Sequence, residues 1–242
     1  MLLAWRNNAD LYIGQDVTAL QAPGGKLAVA PHAAGQPLHD VLAPVQARLG
    51  QGARLRIAVS GYYCPAVPFT PPEGLRNWAE TRAVMAAQAS AALHIEPALL
   101  RVEFDANQQL AMAVLPAPWL AELNAWAASA KIKIVSLRPL WSMASECSLA
   151  RRADSSVLVL AENDSVTTLL QDGKGQVKTI TVPASRDIAS GNTRPDLLPG
   201  PLKNVEGKVV RLAFNPLGAL NDSRRGDAGN LPKFCGNCWS AP

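Results

Sequence analysis

Apolar positions in this chain alternate between a two-residue and a three-to-four-residue period, and the changes of period mark its elements. Leu11–Leu20 is rich in strand formers and reads as a strand, a tight turn and a returning strand. Pro23-Gly24-Gly25 supplies another turn, and Leu27–Ala30 returns as a short strand. Leu38, Val41, Leu42, Val45 and Leu49 form one stripe, predicting a helix opened by Pro37 and ended by Gly50 and Gly52. Leu55–Tyr63 reads as a strand. The following Pro65, Pro68, Pro71 and Pro72 remove backbone donors and predict a connection, not a strand. Glu73–Leu93 is the longest helical pattern. Trp78, Arg82, Met85 and Ala89 share one side, widened by Leu75, Ala79, Ala86 and Leu93.

The second half repeats the alternation. Leu99–Asp105 and Leu110–Leu115 predict a hairpin turning at Asn107-Gln-Gln109. Pro118 suits the first turn of a helix whose stripe is Leu120, Leu123, Trp126, Ala127 and Ala130. Ile132–Leu137 is strand-like and ends at Arg138-Pro139, and Leu140–Leu149 reads as a short helix. Arg151–Ser156 is polar and marks a boundary. Val157–Leu160, Ser165–Gln171 and Gln176–Val182 predict a three-stranded meander, with turns at Glu162-Asn163-Asp164 and Asp172–Gly175. Val205–Phe214 is a candidate last strand. Beyond Pro216 the periodicity stops, which predicts a mobile or loosely docked tail. Strands alternating with helices predict an α/β class with a mixed sheet. The expected divisions are a first lobe over 1–139, a smaller lobe over 140–215 and an irregular tail over 216–242.

Composition narrows the function classes. At 242 residues, 48% apolar and 17% charged, the chain can bury a sizeable core. The net charge of +4 is scattered, with Arg151-Arg152 and Arg224-Arg225 as the only adjacent basic pairs, so no nucleic-acid partner is expected. No apolar run reaches the length of a membrane helix, and Met1-Leu-Leu-Ala-Trp-Arg6 lacks the apolar core of a signal peptide. The expectation is a cytoplasmic chain that does not span the membrane. Its cysteines, Cys64, Cys147, Cys235 and Cys238, are then expected as free thiols.

Candidate chemistry is sparse. Cys235-Gly-Asn-Cys238 has the spacing of a metal or redox pair, but no second pair completes four ligands. His32, His39 and His94 are isolated. Ser60-Gly61 lacks the Gly-x-Ser-x-Gly context of a nucleophile elbow. Asp172-Gly-Lys-Gly175 lacks the Ser or Thr of a phosphate loop and reads as a hairpin turn. Tyr62, Tyr63 and Phe69, set in the proline-rich loop, form a candidate interface; the alternative is that the rings cap the end of the sheet.

The paired hairpins Leu11–Leu20 and Val157–Leu170 each open one half of the chain. Between Arg101 and Val182 three segments carry a resemblance: Ala113-Val-Leu-Pro116 before an amphipathic helix, Ala130–Pro139 as a strand leaving through Arg-Pro, and Ser156–Gln171 followed by Asp172-Gly173. In this layout, residues 9–185 resemble the actin-like (ASKHA-type) bacterial assembly proteins. Members it resembles are the actin-like protein of the type IV pilus inner-membrane platform and the cytoplasmic domain of the type II secretion L protein. The resemblance implies an actin-like (ribonuclease H-like) fold of two lobes, with mixed sheets flanked by helices.

The departures from that family's pattern bear on chemistry. Its nucleotide-binding members carry a carboxylate two residues before a glycine in the hairpin turn. The acid holds Mg²⁺ through water, and the glycine lets backbone N–H groups approach phosphate. Here Tyr12 stands two residues before Gly14, and Asp16 follows it. Ala161, Glu162 and Asn163 stand where the second turn should have glycine. The resemblance therefore implies a scaffold that is not an enzyme and needs no cofactor or metal. It would bind a protein partner, a membrane-anchored assembly component or its cytoplasmic tail, at the inner membrane. Two rivals stay open. One is an ATP-binding enzyme whose Mg²⁺ would fall to Asp10, Asp16, Glu103 or Asp164; the other is a redox or metal protein working through Cys235 and Cys238.

Overall fold

A computed structural model describes residues 8–104, 111–145, 157–171, 177–183, 209–214 and 216. The first strand, β1 (Asn8–Ile13), turns into β2 (Val17–Gln21), which runs on to β3 (Leu27–Pro31). These three antiparallel strands join β4 (Arg54–Val59) and β8 (Lys133–Pro139) in one sheet of order β3-β2-β1-β4-β8, where β1, β4 and β8 are parallel. The two-residue period assigns the faces. Leu11, Ile13, Leu55, Ile57 and Val59 point to one core, against α1 (Leu38–Gln46) and α3 (Ala117–Ser129). Tyr12, Ala19 and Ala58 point to the opposite core.

A second sheet repeats the arrangement. The strands β9 (Val157–Glu162), β10 (Ser165–Gln171), β11 (Val177–Pro183) and β12 (Val209–Phe214) stand in the order β11-β10-β9-β12. As in the first sheet, a hairpin is followed by a third antiparallel strand on one side, and a parallel strand pairs on the other. The helix α4 (Leu140–Ser145) joins the two sheets. Its Leu140, Trp141, Met143 and Ala144 are buried in one apolar cluster with Tyr12, Ala19 and Ala58 of the first sheet and Leu158, Leu160 and Phe214 of the second.

A small third sheet, β5 (Ala66–Pro68), β7 (Ala111–Pro116) and β6 (Leu100–Phe104), carries α2 (Trp78–Leu93). Three expectations are corrected here. The proline-rich connection contains β5, whose Ala66 and Val67 are buried against β7; Pro68 stands at its end, where a missing donor costs nothing inside the sheet. The helix expected from Glu73 begins at Trp78, because the Asn77 side chain accepts the Glu80 N–H at 2.9 Å and caps it there. The expected stripe is also narrower. Met85 and Ala89 are buried, but Ala79 is exposed and Trp78 is 51% exposed, with Arg82 5.5 Å from its ring centre. A three-stranded sheet is too small to cover more of the helix. The expected turn at 107–109, the boundary at 151–156, the turn at 172–175 and the tail after Pro216 lie outside the described residues.

Candidate functional site

The two hairpin turns meet. The first is Gly14-Gln15-Asp16 between β1 and β2; the second is Asn163-Asp164 between β9 and β10. The Gln15 N–H donates to Asp164 Oδ2 at 2.6 Å, and the Tyr12 hydroxyl donates to Glu162 Oε1 at 3.1 Å. A third segment closes the site from the end of β4, where the Gly61 N–H donates to Glu162 Oε2 at 3.0 Å. The Ser165 hydroxyl lies 3.2 Å from Glu162 Oε2 and 3.1 Å from Asp164 Oδ1. Glu162 is 2% exposed and Asp164 5% exposed, so both acids are taken out of water between the sheets. The Tyr12 ring is held edge-on by Phe214 at 4.6 Å.

Two glycines make these approaches feasible. A Cβ on Gly61 would stand 2.6 Å from Thr167 Oγ1 and 3.2 Å from Glu162 Oε2, and one on Gly14 would stand 3.2 Å from Asp164 Oδ2. Neither position needs a positive φ; the requirement is space. Gly61→Ala is expected to cost about 1–3 kcal/mol by overpacking. Urea unfolding measures it, and adding Thr167→Ala should return part of the loss, since it removes the nearest atom.

The electrostatics is one-sided. Burial, followed by the charge of Asp164, pushes the Glu162 carboxyl up to about 8, against the hydrogen bonds from Gly61, Tyr12 and Ser165. Burial likewise raises Asp164 against the Gln15 N–H. The Tyr12 phenol is pushed well up by burial and then by Glu162. Asp16 is half-buried, and its Oδ1 has no hydrogen-bond partner. Among the described residues, no salt bridge reaches Asp16, Glu162 or Asp164.

The sequence-derived candidates divide. Tyr12, Gly14, Asp16, Ala161, Glu162 and Asn163 all lie on the two facing hairpins, as the actin-like layout implies. Of the four acids considered for Mg²⁺, only Asp16 and Asp164 lie at the turns of those hairpins. Asp10 pairs with Arg56 through 2.6 and 2.9 Å contacts, and Glu103 pairs with Arg82 at 3.3 Å. Tyr62 is 42% exposed and stands edge-on to Tyr63, which stacks on Trp119 with ring centres 5.4 Å apart. Phe69 packs elsewhere, against the core under α2. Burial raises the Cys64 thiol far above its ordinary range, leaving it inert as a nucleophile. His39 is exposed, 3.1 Å from Asp40 and 3.6 Å from Glu122. Cys235 and Cys238 lie outside the described residues. Among the described residues, no group of three His, Cys, Asp or Glu side chains is placed to hold a metal ion, and no helix is long and apolar enough to cross a membrane. Sequence reasoning missed Gly61 and the structural part of Asp164, because their partners lie 101 and 149 positions away.

Solved structures share this fold. The cytoplasmic domain of EpsL, an inner membrane component of the type II secretion system of Vibrio cholerae, superimposes with a TM-score of 0.51 at 9% identity, over 86% of this chain and 82% of that one. The PilM–PilN type IV pilus biogenesis complex gives a TM-score of 0.51 at 14% identity over 75% of this chain, and the match spans 62% of the PilM–PilN chain. A Bacteroides thetaiotaomicron protein with an actin-like ATPase fold and unknown function gives 0.48 at 10% identity. No family model and no curated protein matches the sequence. The fold is actin-like, with mixed sheets flanked by helices.

Proposed function

We propose that this chain is a non-catalytic actin-like scaffold of a bacterial pilus or secretion machine. It would work by binding a protein partner, such as a membrane-anchored assembly component, and not by turning over nucleotide. The observation that carries this reading is the contact between the two hairpin turns. In an actin-like fold, phosphates sit between these turns; here the Gln15 N–H is 2.6 Å from a carboxylate of the opposite turn. Two acids already fill the gap, and the charge of Asp164 opposes a polyphosphate. The two matched structures at a TM-score of 0.51 come from a type II secretion component and a type IV pilus complex, which supports the same setting. The exposed Tyr62, backed by Tyr63 and Trp119, is the aromatic surface we assign to the partner.

The test is a thermal-shift titration with Mg-ATP. A site binding at 100 times below the ligand concentration would raise stability by about 2.7 kcal/mol. The expected outcome at millimolar Mg-ATP is no rise in Tm and no phosphate release. A saturable rise would overturn the scaffold reading.

A further inference from the structure

The donors at the facing hairpins are arranged as an anion site, and that site is full. Two backbone N–H groups, Gln15 and Gly61, and two hydroxyls, Tyr12 and Ser165, converge on the carboxylates of Glu162 and Asp164. Gly14 and Gly61 each lack the Cβ that would come within 3.2 Å of a carboxylate oxygen. Backbone N–H groups reaching an anion past glycines is the general construction of an oxyanion cradle. Here Tyr12, Gln15 and Gly61 come from the first sheet's hairpin and the end of β4, whereas Ser165 and both acids belong to the second sheet's hairpin. The contacts bridge 149, 150 and 101 positions of sequence, so they close the molecule between its two sheets.

We propose that Gln15, Gly61 and Tyr12 form an oxyanion-type cradle whose resident ligands are the chain's own Asp164 carboxylate and the Glu162 carboxyl beside it, a tethered pair that clamps the two sheets together. The clamp rests on the scaffold reading and deepens it: the closed arrangement is held without a diffusible ligand. A tethered group acts at high effective concentration, so free small oxyanions do not displace it. Remove the tethered carboxylate and the cradle becomes a site for a small free oxyanion, with formate as the closest match to the missing group.

The experiment is chemical rescue. Asp164→Gly deletes one carboxylate, and its Tm is measured in sodium formate and in sodium chloride of equal ionic strength. The expected outcome is a lower Tm than the parent in chloride and a saturable rise in formate, about 3 °C or more once formate exceeds its Kd tenfold. The parent should respond equally to both salts. Asp164→Asn keeps an acceptor for the Gln15 N–H and should need no formate. A folded Asp164→Gly variant that ignores formate overturns the clamp, as does a parent that formate stabilises equally. If Asp164→Gly does not fold, amide hydrogen exchange of the parent decides. Slow exchange at Gln15 and Gly61 supports the clamp, and exchange at open-loop rates overturns it. Failure of rescue leaves the scaffold reading standing, whereas Mg-ATP binding by the parent removes that reading first.

Discussion

Trp141→Ala is expected to destabilise the protein by about 3–5 kcal/mol, the range for deleting a large aromatic from a packed core. Trp141 is fully buried on α4, in an apolar cluster that draws on both large sheets. The indole belongs to the same cluster as Ala58 of the first sheet and Leu158 and Leu160 of the second. Its N–H also donates to the Cys64 carbonyl at 2.8 Å. Truncation leaves a cavity whose walls belong to different sheets and an acceptor buried without its donor. Trp141→Phe separates the two losses. It keeps most of the ring volume and removes the donor, so about 1–2 kcal/mol is expected. Urea unfolding followed by far-UV circular dichroism measures both. A Trp141→Ala cost under about 1 kcal/mol would mean that α4 is not the wedge between the sheets.

The same cluster explains what the sequence made legible. Runs of strand formers bounded by turn residues gave β1, β2, β4, β6, β7 and the β9–β10–β11 meander; in the first sheet β1, β2 and β4 face one core through Leu11, Leu20 and Ile57 and the other through Tyr12, Ala19 and Ala58. The stripe of Leu38, Val41, Leu42 and Val45 is buried as expected, since α1 lies flat on a five-stranded sheet. Legibility failed where burial depends on the size of a partner surface. The small sheet under α2 covers Met85 and Ala89 and leaves Trp78 in solvent, a difference that the helical period does not encode. The strand β5 was hidden among prolines that remove donors only where the ladder does not need them.

The site was half legible. The family pattern located both hairpins and the residues that depart from it. Tyr12 and Glu162, read as the absence of an acid and of a glycine, instead bond each other at 3.1 Å. Local reading treats each turn against its own neighbours. Here the chemistry of each turn is completed by the other, and Gly61, dismissed as no part of a nucleophile elbow, supplies a donor to the same carboxylate. A pair of departures at matched positions of two facing hairpins was the available signal, since each compensates the other.

Stability should fall as pH rises from about 4.5 to about 8, and Glu162→Gln should remove most of that fall. Unfolded Glu162 titrates near 4.5, whereas in the fold burial and the Asp164 charge push it up to about 8. Between those values the native state holds a proton that the unfolded state has lost. The stabilisation is complete below about 4.5, declines through the window, and is gone above the folded value. The slope for one such group is at most about 1.4 kcal/mol per pH unit. Asp164 is raised by burial in the same direction. Asp10 is too, because burial outweighs Arg56, so both add to the fall at its acid end. Gln at position 162 keeps an acceptor for the Gly61 N–H and has no proton to lose. The variant should therefore match the parent near pH 5 and exceed its Tm at pH 8. Urea unfolding at half-unit pH steps gives both slopes. Equal slopes would mean that Glu162 is ionised in the fold, held so by the donors from Tyr12, Gly61 and Ser165.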